Sequence, residues 1–418
     1  MGERQRSPLN LNALLAAVEA AAPVAAVDVL AAELAEAIGA REVSFLIADF
    51  SGRSLIRLGH SGGTGPLRLQ GSETAERVPL VGTPHGRALA AQTVEVVAED
   101  RGARLFAPVT SRGEAVGVLE LGLEEFPVEQ TVGDVALAAH FLAYVVIANR
   151  RYTDLFEWGQ RTVPLSLAAE IQHRLLPGAF TCEAGQFTLA AWLQPAGEIG
   201  GDTFDFSLER DTLHVSMTDA MGHTMDAALL ATVLVGALRN ARRRGVGLAE
   251  QAWLANDALA AQASEGQFVT GLLVRIDLAR ATAGIVNAGH PPPLRLRPGG
   301  VDTVPLEADP PFGLQARGGY RVQSLRLDVG DRLIFVTDGI LERDAADMNI
   351  AAILTESRNM HAREAVQHLT QAVLQASGGQ LRDDATALCL DWHGGPPRDR
   401  EATSGANREG RLDQTASI

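Results

Sequence analysis

The sequence predicts two α/β domains joined by a helical connector, the second a sandwich of antiparallel sheets flanked by helices. Three observations carry this. The length of 418 residues exceeds one ordinary core. A hydrophobic content of 46% allows more than one domain to bury its interior. Beyond residue 185, short apolar β-rich runs group around paired long helices instead of alternating strictly with them, which argues against a doubly wound parallel sheet.

Taken in order, Arg4 and Arg6 precede the apolar stretch Leu9 to Val18, but Glu19 interrupts it and Asp28 and Glu33 continue an Ala-rich amphipathic pattern. Residues 1–20 therefore read as an N-terminal extension and not as a secretion signal. Residues 21–150 read as helix, strands, helix: Val24 to Ile38 has helical spacing, and Val43 to Ala48 and Leu55 to Leu58 are strands about the turn Asp49 to Arg53. Leu105 to Val109 and Val116 to Leu121 form a hairpin across Ser111-Arg112-Gly113-Glu114. The stretch LFAPVTSRGEAVGVLEL and the helix after it resemble a GAF domain, which implies a six-stranded sheet with helices on one face, a sensor role and a possible small-molecule ligand. His60 and His85 read as solvent-facing loop histidines, and no cysteine precedes Cys182 to attach a bilin.

From about 130 to 178 the pattern is helical throughout, with 151–180 as the linker and a parallel helical pair in a homodimer as its preferred form. The apolar run Val135 to Ala148, 14 residues long and containing His140, is too short to span a bilayer. Within 181–392, strands are expected at Phe187 to Leu193, Thr212 to Thr218, Phe268 to Ile276, Ala283 to Val286, Leu333 to Val336 and Ala385 to Leu390. Helices are expected at Met225 to Arg244, Leu248 to Ala263 and Ala362 to Ala376. The Gly-, Pro- and Arg-rich stretch 393–418 reads as a disordered tail. With 36 basic against 51 acidic residues the net charge is −15, which excludes a general affinity for nucleic acid or anionic membrane. Two cysteines, Cys182 and Cys389, make no disulfide framework and fit a cytoplasmic location.

Four aspartates concentrate the chemistry. Asp202 follows Gly200-Gly201, Asp219 stands in Thr-Asp-Ala-Met-Gly-His, Asp338 in Val-Thr-Asp-Gly, and Asp383 in Arg-Asp-Asp-Ala-Thr, all at the ends of apolar runs. One such Asp merely caps a turn. Four brought together would repel unless cations joined them, and an oxygen-only set favours Mg²⁺ or Mn²⁺ over zinc. Two such ions sharing a water would generate hydroxide near neutral pH and clamp a phosphoryl group for in-line attack.

The stretches EIGGDTFDF, SMTDAMGHT, NAGHPPPLRL, IFVTDGILER and RDDATAL, with LAAEIQHRLLPG ahead of them, resemble the metal-dependent serine/threonine phosphatases of the type 2C superfamily, in the bacterial branch typified by the RsbU and SpoIIE regulators. The resemblance implies Asp219 as a bridge between two ions, the Ala220 carbonyl as a further ligand, Asp338 and Asp383 on one ion, and Asp202 on the other, partly through water. It also implies a phosphorylated anti-anti-sigma partner of the STAS type. His223 would protonate the leaving group, and His290 either buttresses the Asn287 to Pro292 turn, the preferred reading, or takes part in catalysis directly. Thr224 stands where the family commonly has Gly. The rival readings are a catalytically idle binding scaffold and a hydrolase of small phosphate esters.

Overall fold

The computed structural model describes residues 9–50, 52–61, 76–161, 165–194, 200–222, 225–314, 318–341, 348–379, 381, 383–396 and 399–407, with the backbone alone at 59–61. The chain divides into two compact units. Described residues up to 161 together with 402–407 form the first, and those from 165 to 401 form the second.

The first unit runs α1 (Leu11–Ala20), α2 (Ala26–Ile38), β1 (Glu42–Ala48), β2 (Ser54–Ser61), β3 (Arg77–Pro79), α3 (Pro84–Ala91), β4 (Glu95–Ala98), β5 (Ala103–Ser111), β6 (Glu114–Leu123), α4 (Glu129–Asn149) and α5 (Leu155–Gln160). Its six strands form one antiparallel sheet in the order β3-β2-β1-β6-β5-β4. Alternation along the strands gives the sheet two apolar faces. Val43, Phe45, Ile47, Leu105 and Val109 pack with α2 and α4. Leu46, Leu55, Phe106 and Val118 face the other way and are covered by Ala88 and Leu89 of α3. Helices therefore lie on both faces, not one. α3 also carries His85, which is buried and not solvent-facing, its Nε2 3.1 Å from Glu120 Oε2. Burial alone would raise the Glu120 carboxyl, but the His85 hydrogen bond and the Arg57 and Arg104 guanidiniums hold it down at about 2.

α4 is 21 residues long, beyond the 14-residue apolar run, and by length and composition alone would cross a membrane. Here Val135, Ala138, Leu142 and Val146 bury one face of it in the core of the unit. The expected continuous helix ends at Asn149. Thr153 Oγ1 accepts the Leu155 amide, which starts α5 as a separate turn of helix.

The second unit runs α6 (Leu167–Leu175), β7 (Thr181–Glu183), β8 (Phe187–Gln194), β9 (Asp202–Leu208), β10 (Thr212–Ala220), α7 (Met225–Arg243), α8 (Leu248–Ala260), β11 (Val269–Asp277), β12 (Thr282–Ala288), β13 (Leu294–Arg297), β14 (Gly300–Thr303), β15 (Gln323–Arg326), β16 (Arg332–Val336), α9 (Ile350–Glu356), α10 (Ala362–Ala376) and β17 (Ala385–Trp392). Two sheets result, in the orders β15-β12-β11-β10-β9 and β14-β13-β16-β17-β8-β7. Every paired strand is antiparallel.

The period of two explains why β17 is an unbroken apolar run. Leu388 and Leu390 enter the core between the sheets with Phe187, Met217, Val274 and Phe335. Ala387 and Cys389 point outward under Val366, Leu369 and Val373 of α10. On the opposite side Leu273 and Val286 lie under Ala231 and Leu234 of α7 and Ala255 and Leu259 of α8. The unit is thus a helix, sheet, sheet, helix sandwich, as the strand grouping predicts. Ordered chain continues past the expected start of the tail. His393 donates its amide to the Gln186 carbonyl, Arg400 is paired with Glu183, and Ala406 is buried.

Candidate metal centre

The antiparallel registers carry the four aspartates to one edge of the sandwich. Asp202 opens β9, Asp219 is the penultimate residue of β10, and the two stand directly opposite one another. Asp338 follows β16 in a single 3-10 turn, and Asp383 lies two residues before β17, which pairs with β16. All four come from strand ends, where a rigid backbone holds a short side chain in place.

Two close backbone approaches account for the glycines. A Cβ on Gly339 would lie 2.1 Å from the Asp384 carbonyl oxygen, so only glycine lets the Asp338 turn sit against the Asp383-Asp384 segment. A Cβ on Gly201 would lie 2.7 Å from the carbonyl oxygen of Ala220, the residue singled out as a backbone ligand.

Asp202 is buried, and its Oδ2 accepts from the hydroxyls of Thr337 at 2.7 Å and Thr386 at 2.6 Å. Those threonines precede Asp338 and follow Asp383, so a carboxylate of one sheet is locked by residues of the other. The Thr337 hydroxyl oxygen also accepts the Thr386 amide at 3.0 Å. Asp384, buried, joins the group, and its amide donates to Asp383 Oδ1 at 2.8 Å.

The electrostatics follow from this crowding. Burial, then the Asp338 and Asp383 carboxylates, push Asp219 up to about 7. Burial and then Asp219 and Asp384 raise Asp202 well above the usual carboxylate range. Without cations these groups cannot all ionise at neutral pH. Among the described residues no three His, Cys, Asp or Glu side chains are grouped so as to hold a metal ion as they stand. The hard oxygen donors and the unfavourable mutual charge fit Mg²⁺ or Mn²⁺.

His223 and Thr224 lie outside the described residues. His290 is buried. Its Nδ1 is 2.8 Å from Thr270 Oγ1, and its amide donates to Asn287 Oδ1 at 2.8 Å while Asn287 Nδ2 donates back to its carbonyl at 3.0 Å. Burial pushes this imidazole down to about 4, so it is neutral at pH 7, as befits a brace for the turn. Thr270 pairs with Asp219 across the sheet, which places the brace behind the centre.

A family model described as Stage II sporulation protein E (SpoIIE) matches residues 209–393. Residues 209–393, within the second unit, are thus SpoIIE-like in sequence. Of curated relatives, phosphoserine phosphatase RsbU of Bacillus subtilis is 21% identical over 232 residues, covering 54% of this chain and 69% of RsbU. Phosphoserine phosphatase RsbP of the same organism is 24% identical over 187 residues, covering 44% of this chain and 46% of RsbP. The match thus spans about two thirds of RsbU and about half of RsbP. Among solved structures, the type 2C phosphatase domain of Bacillus subtilis SpoIIE, with a fragment of its regulatory domain, is 21% identical at a TM-score of 0.46, covering 50% of this chain and 64% of that one. The RsbU and RsbW domains of Rv1364c from Mycobacterium tuberculosis are 24% identical at 0.45, covering 51% and 63%.

Sequence reasoning missed four residues of the acidic edge: Asp384, Thr337, Thr386 and Gln172, whose side-chain amide donates to Asp384 Oδ2 at 2.5 Å. Asp384 stood in the quoted motif beside Asp383, and the threonines adjoin quoted aspartates. Gln172 stood in the quoted stretch LAAEIQHRLLPG, which was read as connector.

Proposed function

We propose that the protein is a cytoplasmic, metal-dependent serine/threonine phosphoprotein phosphatase. The observation that carries this is the convergence of Asp202, Asp219, Asp338 and Asp383 on one edge, with the Asp219 carboxyl held at about 7 by burial and its acidic neighbours. Asp219 with the Ala220 carbonyl beside it, Asp338 and Asp383 on one side and Asp202 on the other would hold the ions. When bound, Mn²⁺ or Mg²⁺ acidifies water and supplies counter-charge to the phosphoryl oxygens. The chain's own contribution is orientation: Thr337 and Thr386 fix the Asp202 carboxylate, and the Asp384 amide fixes that of Asp383. His223 is the proposed proton donor to the leaving group.

The substrate proposed is a phosphoserine or phosphothreonine on a STAS-type anti-anti-sigma protein, in a partner-switching pathway. Support comes from the relatives' designation as phosphoserine phosphatases. The first unit is the proposed GAF-like sensor and carries the proposed dimer contact. On α4, Leu137 and Tyr144 are exposed and seven residues apart, on one side of the helix.

Comparing kcat/KM on a phosphorylated STAS protein with that on free nucleotides tests the substrate class. A preference for the phosphoprotein of at least tenfold is expected, and a preference for nucleotides would move the protein to the small-ester hydrolases.

A further inference from the structure

In β10 and β11, Met217 and Leu272 point into the core between the two sheets. Side chains alternate along a strand, so Asp219 and Met221 on one, and Thr270 and Phe268 on the other, share that face. The backbone ladder reaches as far as Met221. Its amide donates to the Phe268 carbonyl at 3.1 Å, one register step beyond the pairing of Ala220 with Val269 and two beyond that of Asp219 with Thr270. The hydrophobic core does not reach so far. Among the described residues Met221 and Phe268 belong to none of the unit's core clusters; Met221 is 51% exposed and Phe268 half-buried.

The two side chains therefore form an apolar ledge one strand step, about 7 Å, from the Asp219 carboxyl. The ledge is held from behind, because Val269 exchanges both backbone hydrogen bonds with Phe312, at 3.0 and 2.9 Å. Single exposed apolar residues need no explanation on a protein surface. This pair is distinguished by its spacing. A phosphoryl group carried to the acidic edge on an extended segment brings with it the side chain two residues away, which points the same way and also lies about 7 Å off.

We propose that Met221 and Phe268 determine specificity: they receive an apolar side chain two positions from the phosphorylated residue of a protein substrate. The inference rests on the phosphatase reading above and narrows its substrate to segments with an aliphatic or aromatic residue at that spacing. An unbranched, polarisable methionine suits such a role, since it adapts to side chains of different shape.

The test is kcat/KM in Mn²⁺ on two phosphoserine peptides that differ only in carrying leucine or serine at both positions two residues from the phosphoserine. The full chain is compared with Met221→Gln, which keeps the length and makes the end polar. Preference for the leucine peptide is a ratio within one enzyme, so any effect of the substitution on the metal centre cancels. Half-covering a leucine corresponds to about tenfold. The expected preference is of that size in wild type, carried mainly in KM, lost to within twofold in Met221→Gln and retained in Met221→Leu. Phe268→Ser serves as a second variant; circular dichroism checks folding, and either folded variant decides. No preference in wild type, including turnover of p-nitrophenyl phosphate alone, or a preference that survives in a folded variant, overturns the inference and leaves the phosphatase reading intact. A wild-type chain without Mn²⁺-dependent turnover of either peptide or of p-nitrophenyl phosphate overturns both.

Discussion

Asp219→Asn should stabilise the metal-free protein at neutral pH, although it removes the central ligand. The unfolded chain ionises Asp219 near its ordinary 3.8, whereas the folded protein holds the group up to about 7. Between these values the native state binds the extra proton, so stability falls as pH rises, and the loss is complete above about pH 7. The full difference corresponds to about 4 kcal/mol. Because the shift arises partly from the surrounding carboxylates and not from Asp219 alone, the asparagine recovers about half, ~2 kcal/mol. For a domain of this size that is about 4–8 °C in Tm. Thermal melts in chelator at pH 4, 6 and 8 measure it: the variant melts level with wild type at pH 4 and progressively higher by pH 8. Saturating Mn²⁺ reverses the order, since only wild type gains the binding energy. A gap that is absent at pH 8, or that widens as pH falls, would refute the reasoning.

The remaining predictions are structural. Gly339→Ala drives a Cβ to 2.1 Å from the Asp384 carbonyl oxygen and should cost about 1–3 kcal/mol by overpacking. It should also weaken Mn²⁺ binding; a melt and a metal titration check both. Gly236→Ala, on α7 where nothing lies within 4 Å of the added carbon, should instead be neutral or stabilising by up to about 1 kcal/mol in the same melt. Glutamate at both Leu137 and Tyr144 should convert a dimer to a monomer by light scattering; a wild-type chain already monomeric at micromolar concentration would remove the proposed interface.

What was legible in the sequence follows from where each signal resides. Strands such as β11, β16 and β17 are buried on both faces, so they read as apolar runs, and α10 shows its amphipathic stripe. β9 was missed because Thr203, Asp205 and Ser207 break its apolar pattern, although Thr203 and Asp205 are buried among polar partners: the Thr218 hydroxyl lies 2.6 Å from that of Thr203, and Arg239 and Arg242 pair with Asp205. β13, β14 and β15 are four-residue strands with too few residues to show a period. The aspartates were visible because Gly and Asp turns leave a local mark. Their partners were not, since Thr337 and Thr386 meet Asp202 across 135 and 184 residues. The packing of one sheet against the other creates that proximity.

Phosphate release from a phosphoserine STAS protein, measured for wild type and Asp219→Asn with Mn²⁺ and with chelator, tests the central claim most directly. The account predicts turnover by wild type that is lost in chelator and restored by Mn²⁺. It predicts turnover lower by on the order of 10²–10³ in the variant with an unchanged circular dichroism spectrum. Wild-type-like hydrolysis by Asp219→Asn, or hydrolysis that survives chelation, would contradict it.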